Sequence, residues 1–186
     1  MTRNVFVTLI LVLLYQQEWA FGASRDARAR GGGHPTEELL RLVKSDEPCP
    51  QALTELLREG AQVKASDSNG MTPLHCAAAM GHERLICQLY LSGGDLEAQN
   101  KWGATPLIVA AANGRLEVCR LLVHLGAAAE ATNGKGESAQ ECAERWGHQD
   151  IVDFLNEKIS NSIRERNLRI RAEQRHQEPR RDRLSE

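Results

Sequence analysis

Aromatic residues are scarce in this chain. Phenylalanine, tryptophan and tyrosine together make up 4% of its 186 residues. A core built from Leu, Ala and Val with few rings suits thin helical layers better than one deep globular interior. The five cysteines (Cys49, Cys76, Cys87, Cys119 and Cys142) show no CxxC spacing, which argues against a zinc clasp. Their odd number leaves at least one free thiol. No Asn-X-Ser/Thr sequon, phosphate-binding glycine loop or HExxH pattern occurs. The most apolar run, Val5–Tyr15, has eleven residues, too few to span a bilayer as a helix.

The charge is unevenly distributed. Residues 36–156 hold 17 acidic and 10 basic side chains, a balance of −7, whereas residues 157–186 hold 9 basic and 6 acidic, a balance of +3. An acidic body argues against nucleic acid as its partner. The basic tail reads either as a solvated helix that fades into disorder or as a docking element for a partner or an acidic membrane surface. At the other end, "MTRN", the run Val5–Tyr15 and the small residues Ala20, Gly22 and Ala23 have the layout of a secretory signal over residues 1–22. A mature chain in the secretory pathway or outside the cell is the expectation if that segment is used, and a cytoplasmic one otherwise. Free thiols and missing sequons favour the cytoplasm. Residues 23–34, "ASRDARARGGGH", read as a flexible linker.

The body is periodic. Thr72-Pro73-Leu74 returns as Thr105-Pro106-Leu107, 33 residues on (105 − 72), and the next step lands on Ser138-Ala139-Gln140. Gly70, Gly103 and Gly136 share this register, as do Gly81, Gly114 and Gly147, and Asp67, Asn100 and Asn133. Thr before Pro predicts a helix start, and Gly81 predicts its stop. Each unit reads as a turn, a short helix, a Gly-His or Gly-Arg corner and a second helix. Neither helix is long enough to stand alone, so the stack must supply the core.

These residues resemble the ankyrin-repeat family, whose signature is Thr-Pro-Leu-His at a 33-residue period. The resemblance implies an all-α solenoid of stacked helix pairs with β-turn tips. A degenerate capping repeat covers residues 35–66, full repeats cover 67–99 and 100–132, and a C-terminal capping repeat covers 133–158. Ile151, Leu155, Ile159 and Ile163 predict that the last helix runs on to about Gln174, within a charged tail over 159–186 that is helical or disordered. The resemblance also implies that Thr72 and His75 bridge neighbouring turns. Ile108 and Glu141 replace that histidine, so the last unit is expected to be soft or to serve as a polar cap.

Function follows from the same resemblance. It implies a non-catalytic, monomeric adaptor that grips a protein with its turn tips and the concave face of its first helices. A secreted effector using the same surface is the alternative. The matching positions are Ser68, Asn69, Met71, Cys76, Ala79 and Met80, then Lys101, Trp102, Ala104, Val109, Ala112 and Asn113, then Lys135, Glu137, Cys142, Arg145 and Trp146. Trp102 and Met71, on adjacent turn tips, are the expected anchors, with Trp146 a further candidate; the alternatives are that Trp102 folds back on its neighbour and that Trp146 covers the end of the stack. A thiol enzyme built on Cys76 and His75 is the remote reading, because adjacent helical residues point about 100° apart. No catalytic residue, cofactor or metal is expected.

Overall fold

The computed structural model describes residues 34–46 and 48–177, with side chains to residue 170. The expected signal segment 1–22 lies outside the described residues, as does the linker apart from His34. Eight α-helices follow in pairs: α1 (Pro35–Val43) and α2 (Pro50–Arg58), α3 (Pro73–Met80) and α4 (Glu83–Leu91), α5 (Pro106–Ala112) and α6 (Leu116–Leu125), α7 (Ala139–Trp146) and α8 (Gln149–Gln177). No strand occurs among the described residues, only an isolated bridge between Thr132 and Ser138. None of the described helices is long and apolar enough to cross a membrane.

The helices start where the local chemistry dictates. Thr72 and Thr105 sit in extended backbone and accept from the N–H of His75 and Ile108, and proline follows each in the first turn. Ser138 does the same for Glu141, whose carboxylate reaches back to the Ser138 N–H at 2.7 Å. The last unit has therefore exchanged its Thr-Pro start for a Ser-x-x-Glu capping box. α1 and α2 begin with Pro35 and Pro50 and lack a side-chain cap.

Packing runs from each pair to the next. The first helices α3, α5 and α7 approach closely along the stack, while the second helices touch one another less. Small residues explain the difference: Ala77, Ala78, Ala110, Ala111, Ala139 and Ala143 are all completely buried on the first helices. Larger residues (Leu85, Ile86, Leu89, Val118, Leu122, Ile151 and Leu155) fill the layer under the second helices. Leu39, Val43 and Leu53 of the leading pair join the same continuous core. Helices this short are held by burial against the adjacent pair rather than by their own propensity.

The long last helix changes character along its length. Leu155 is 0% exposed, but Ile163 on the same stripe is 46% exposed. The stripe predicted from the sequence is thus dry only while it faces α6 and α7, and beyond Ile159 the helix outruns the stack. Arg166 of this extension reaches back, lying 3.8 Å from Glu130.

Candidate functional site

Three hairpin tips line one edge of the stack, and each is built the same way. Asp67 Oδ1 accepts from the N–H groups of Asn69 and Met71. Asn100 Oδ1 accepts from Trp102 and Ala104, and Asn133 Oδ1 from Lys135 and Glu137. A short carboxylate or amide folds its own turn by this route. The backbone closes the same turns, from Asp67 N–H to Met71, Asn100 N–H to Ala104 and Asn133 N–H to Glu137. The tips are also tied to each other: Lys101 N–H donates to the Asn69 carbonyl at 3.1 Å and Gly134 N–H to the Trp102 carbonyl at 2.8 Å. Such close approach requires glycine at Gly103, where φ is +71° and a Cβ would lie 2.5 Å from Gly134 N.

Two further ladders hold the units in register. His75 is fully buried. Its Nε2–H donates to the Ala104 carbonyl of the next tip at 2.9 Å, and its Nδ1 takes the Thr72 N–H at 3.2 Å and the Thr72 hydroxyl at 2.8 Å. Burial pushes its pKa below the ordinary histidine value, so the ring stays neutral. His75 therefore reaches the next tip, while Thr72 bonds to His75 within its own unit. At the corners, His82 Nε2–H donates to the Ser45 carbonyl at 2.9 Å and Arg115 Nε to the Ala79 carbonyl at 3.0 Å. His148 lies over Gly114, where a Cβ would meet its ring at 2.6 Å.

These ladders decide which of the expected contact residues are free. Met71 is half-buried, with its sulfur receiving the Asn100 amide at 3.4 Å, and Ala104 is buried. Glu137, in the same register, is half-buried and bonded to Asn133 and Arg145. Cys76 and Cys142 are buried and Val109 is half-buried, because this position faces the neighbouring first helix. The expectation that Cys76, Ala104 and Cys142 reach a partner is corrected accordingly. Ala79 and Ala112 are half-buried. Arg145 is exposed but committed to Glu137.

Two rows remain open. The tip row holds Ser68 and Asn69, then Lys101 and Trp102, then Lys135, all exposed. The helix-end row holds Met80, Asn113 and Trp146, of which Met80 is half-buried. Trp102 is 59% exposed and Trp146 is 64% exposed, so neither indole folds back into the stack. Asn113 donates its side-chain amide to the Val109 carbonyl at 2.8 Å.

Two models of ankyrin repeats match the sequence, one over residues 39–89 and the other over residues 81–166. The chain belongs to the ankyrin-repeat family. The matched span includes the leading pair from Leu39 onward, where the Thr-Pro-Leu-His signature is missing, and the first part of the long ankyrin helix α8. Comparison with curated proteins gives no match.

The chemistry of the ankyrin core leaves little room for the thiol reading. Both ring nitrogens of His75 are spent on Thr72 and Ala104. Burial raises the Cys76 thiol to about 11, so at neutral pH the nucleophilic thiolate is essentially absent. Cys119 is pushed up to about 12 for the same reason, with Asp150 adding to the effect. The residue roles that sequence reasoning missed are Asp67, Asn100 and Asn133, which fold the tips. Their shared 33-residue register was the available signal.

Proposed function

We propose that this ankyrin-repeat protein is a non-catalytic adaptor that binds another protein through its tip row and helix-end row. Ankyrin repeats are protein–protein interaction modules, and the observation that carries the reading to particular residues is the exposure of Trp102 and Trp146. Two large aromatic surfaces face solvent in a chain that has few aromatics to spend. Indoles anchored on a rigid backbone are what protein hot spots use, since little entropy is lost when they are covered. The tip under Trp102 is fixed by two hydrogen bonds to Asn100 Oδ1, two within the turn backbone and one to each neighbouring tip.

Around these anchors the contact set comprises Asn69, Met80, Lys101, Asn113 and Lys135, with Met71, Val109, Glu137 and Arg145 supporting from below. The acidic body makes nucleic acid a poor ligand. The test is capture of a partner by immobilised wild-type chain, repeated with Trp102→Ala, Trp146→Ala and, as an exposed position outside both rows, Glu83→Ala. Loss of an anchor is expected to cost about 2 kcal/mol or more of binding, with Glu83→Ala neutral. A loss below about 0.5 kcal/mol for both tryptophans would discard the reading. A route through the secretory pathway is supported by the sequence of residues 1–22 alone, and N-terminal sequencing of the mature protein tests it.

A further inference from the structure

We infer that the tip row takes an extended acidic segment in which an apolar side chain lies three residues from a carboxylate. The inference rests on the tips being the protein-binding surface and names what they select. Asn69, Trp102 and Lys135 occupy one register, 33 residues apart, on successive tips (102 − 69 and 135 − 102). The bond from Gly134 N–H to the Trp102 carbonyl, at 2.8 Å, sets the last two tips side by side. Helices stacked in neighbouring units are about 8–10 Å apart. An extended chain of the polyproline II type has three residues per turn and advances about 3.1 Å per residue, so side chains three residues apart share one face and reach from one tip to the next.

The charge at this edge opposes that of the rest of the body. Lys101 and Lys135 are exposed, and among the described residues neither ammonium has an ion-pair partner. They flank the exposed indole of Trp102 on a body whose residues 36–156 carry a balance of −7. An acidic ligand is repelled by most of that surface and attracted at this edge, so the same charges that weaken general binding sharpen the choice of site. An apolar side chain covers Trp102, and a carboxylate three residues along meets Lys135. Asn69, on the preceding tip, supplies an amide for the backbone or for a second polar group.

The probe is a capped seven-residue peptide with phenylalanine at its centre and glutamate three residues away on each side, so that either chain direction is served. Lysine and glutamine versions are the controls. Binding to the full chain is followed at the Trp102 indole N–H resonance, identified by its absence in Trp102→Phe. The glutamate peptide is expected to bind about threefold or more tighter than the glutamine one, the worth of an exposed ion pair. Lys135→Glu is expected to reverse the order in favour of the lysine peptide, with the helical spectrum unchanged. Equal binding of the three peptides, or no movement of the resonance at about 10 mM peptide, overturns the inference. So does a thymidine oligonucleotide that moves it further than the glutamate peptide does. If Trp102→Ala still weakens partner capture while the peptides are not distinguished, the interface stands and the acidic segment is wrong. If neither responds, both fail.

Discussion

His75 donates its Nε2–H to the carbonyl of Ala104 across 2.9 Å, joining the first turn of one helix to the hairpin tip of the next unit. The corresponding positions, Ile108 and Glu141, have no imidazole, so this side-chain bridge is made at one junction of the stack. A buried group with two satisfied nitrogens is hard to replace, because its partners are left behind in a dry place.

His75→Ile keeps the bulk and copies the residue at Ile108, but strands the Thr72 N–H and leaves the Ala104 carbonyl with the Asn100 N–H as its remaining donor. A loss of about 1–3 kcal/mol is expected in urea unfolding. The pH dependence has a definite sign. The folded pKa lies below the ordinary histidine value of 6.5, so the unfolded chain takes up the proton first. The stability contributed by the neutral ring is complete above 6.5 and is lost as pH falls from there through the folded value. The stability difference between wild type and His75→Ile should shrink over that window.

Asp67 separates turn folding from charge pairing. Its Oδ2 meets Lys44 Nζ at 2.8 Å, linking the leading pair to the first tip, while its Oδ1 holds the turn. Burial opposes its ionised form, but Lys44 and the N–H groups of Met71 and Asn69 outweigh that and hold the carboxyl below 3.8. Asp67→Asn matches the residue at Asn100 and Asn133 and keeps the turn, so a loss of less than about 1 kcal/mol is expected for this half-exposed pair. Asp67→Ala removes the turn bonds as well and should cost about 1 kcal/mol more in thermal unfolding. The Lys44 contribution is present above 3.8 and disappears as pH falls through the lowered folded value.

Gly103 and Gly126 both have positive φ, +71° and +106°, but differ in what surrounds them. A Cβ at Gly126 meets nothing within 4 Å, whereas one at Gly103 meets the Gly134 backbone. Gly126→Ala is expected to cost about 1–2 kcal/mol from backbone strain alone. Gly103→Ala should cost more, and hydrogen exchange at the Gly134 amide should accelerate, because the tip-to-tip bond breaks.

Thiol chemistry should sort by burial. Cys49 is exposed and should react with an aromatic disulfide reagent in the folded protein. Cys76 and Cys119 are buried, with thiols pushed up to about 11 and about 12, and should react only on unfolding. Rapid modification of Cys76 in folded protein would contradict the packing of α3 against its neighbours.

The apolar stripe of α8 is divided, and two truncations test the division. Leu155→Ala opens a cavity in the last layer and should cost about 2–5 kcal/mol in chemical denaturation. Ile163→Ala, on the exposed extension, should change stability by less than about 0.5 kcal/mol.

The sequence by itself determined the repeat. Thr72 with Pro73 and Thr105 with Pro106 start helices because a hydroxyl and a missing N–H satisfy a helix N-terminus wherever they occur. The glycines at 33-residue steps stop helices and make tips because only they adopt positive φ cheaply, and every positive-φ residue described is one of them or of the matching set at Gly60, Gly93 and Gly126. These are local rules, legible without neighbours. The exposure of each contact position was not local. Cys76 and Trp102 both belong to the expected binding set, but Cys76 faces the adjoining first helix while Trp102 stands on a tip with no layer above it. Ile163 continues the stripe of Leu155 in sequence, yet it lies past the end of the stack that keeps Leu155 dry. Burial is a property of what lies across the gap, and only the assembled stack places a neighbour there.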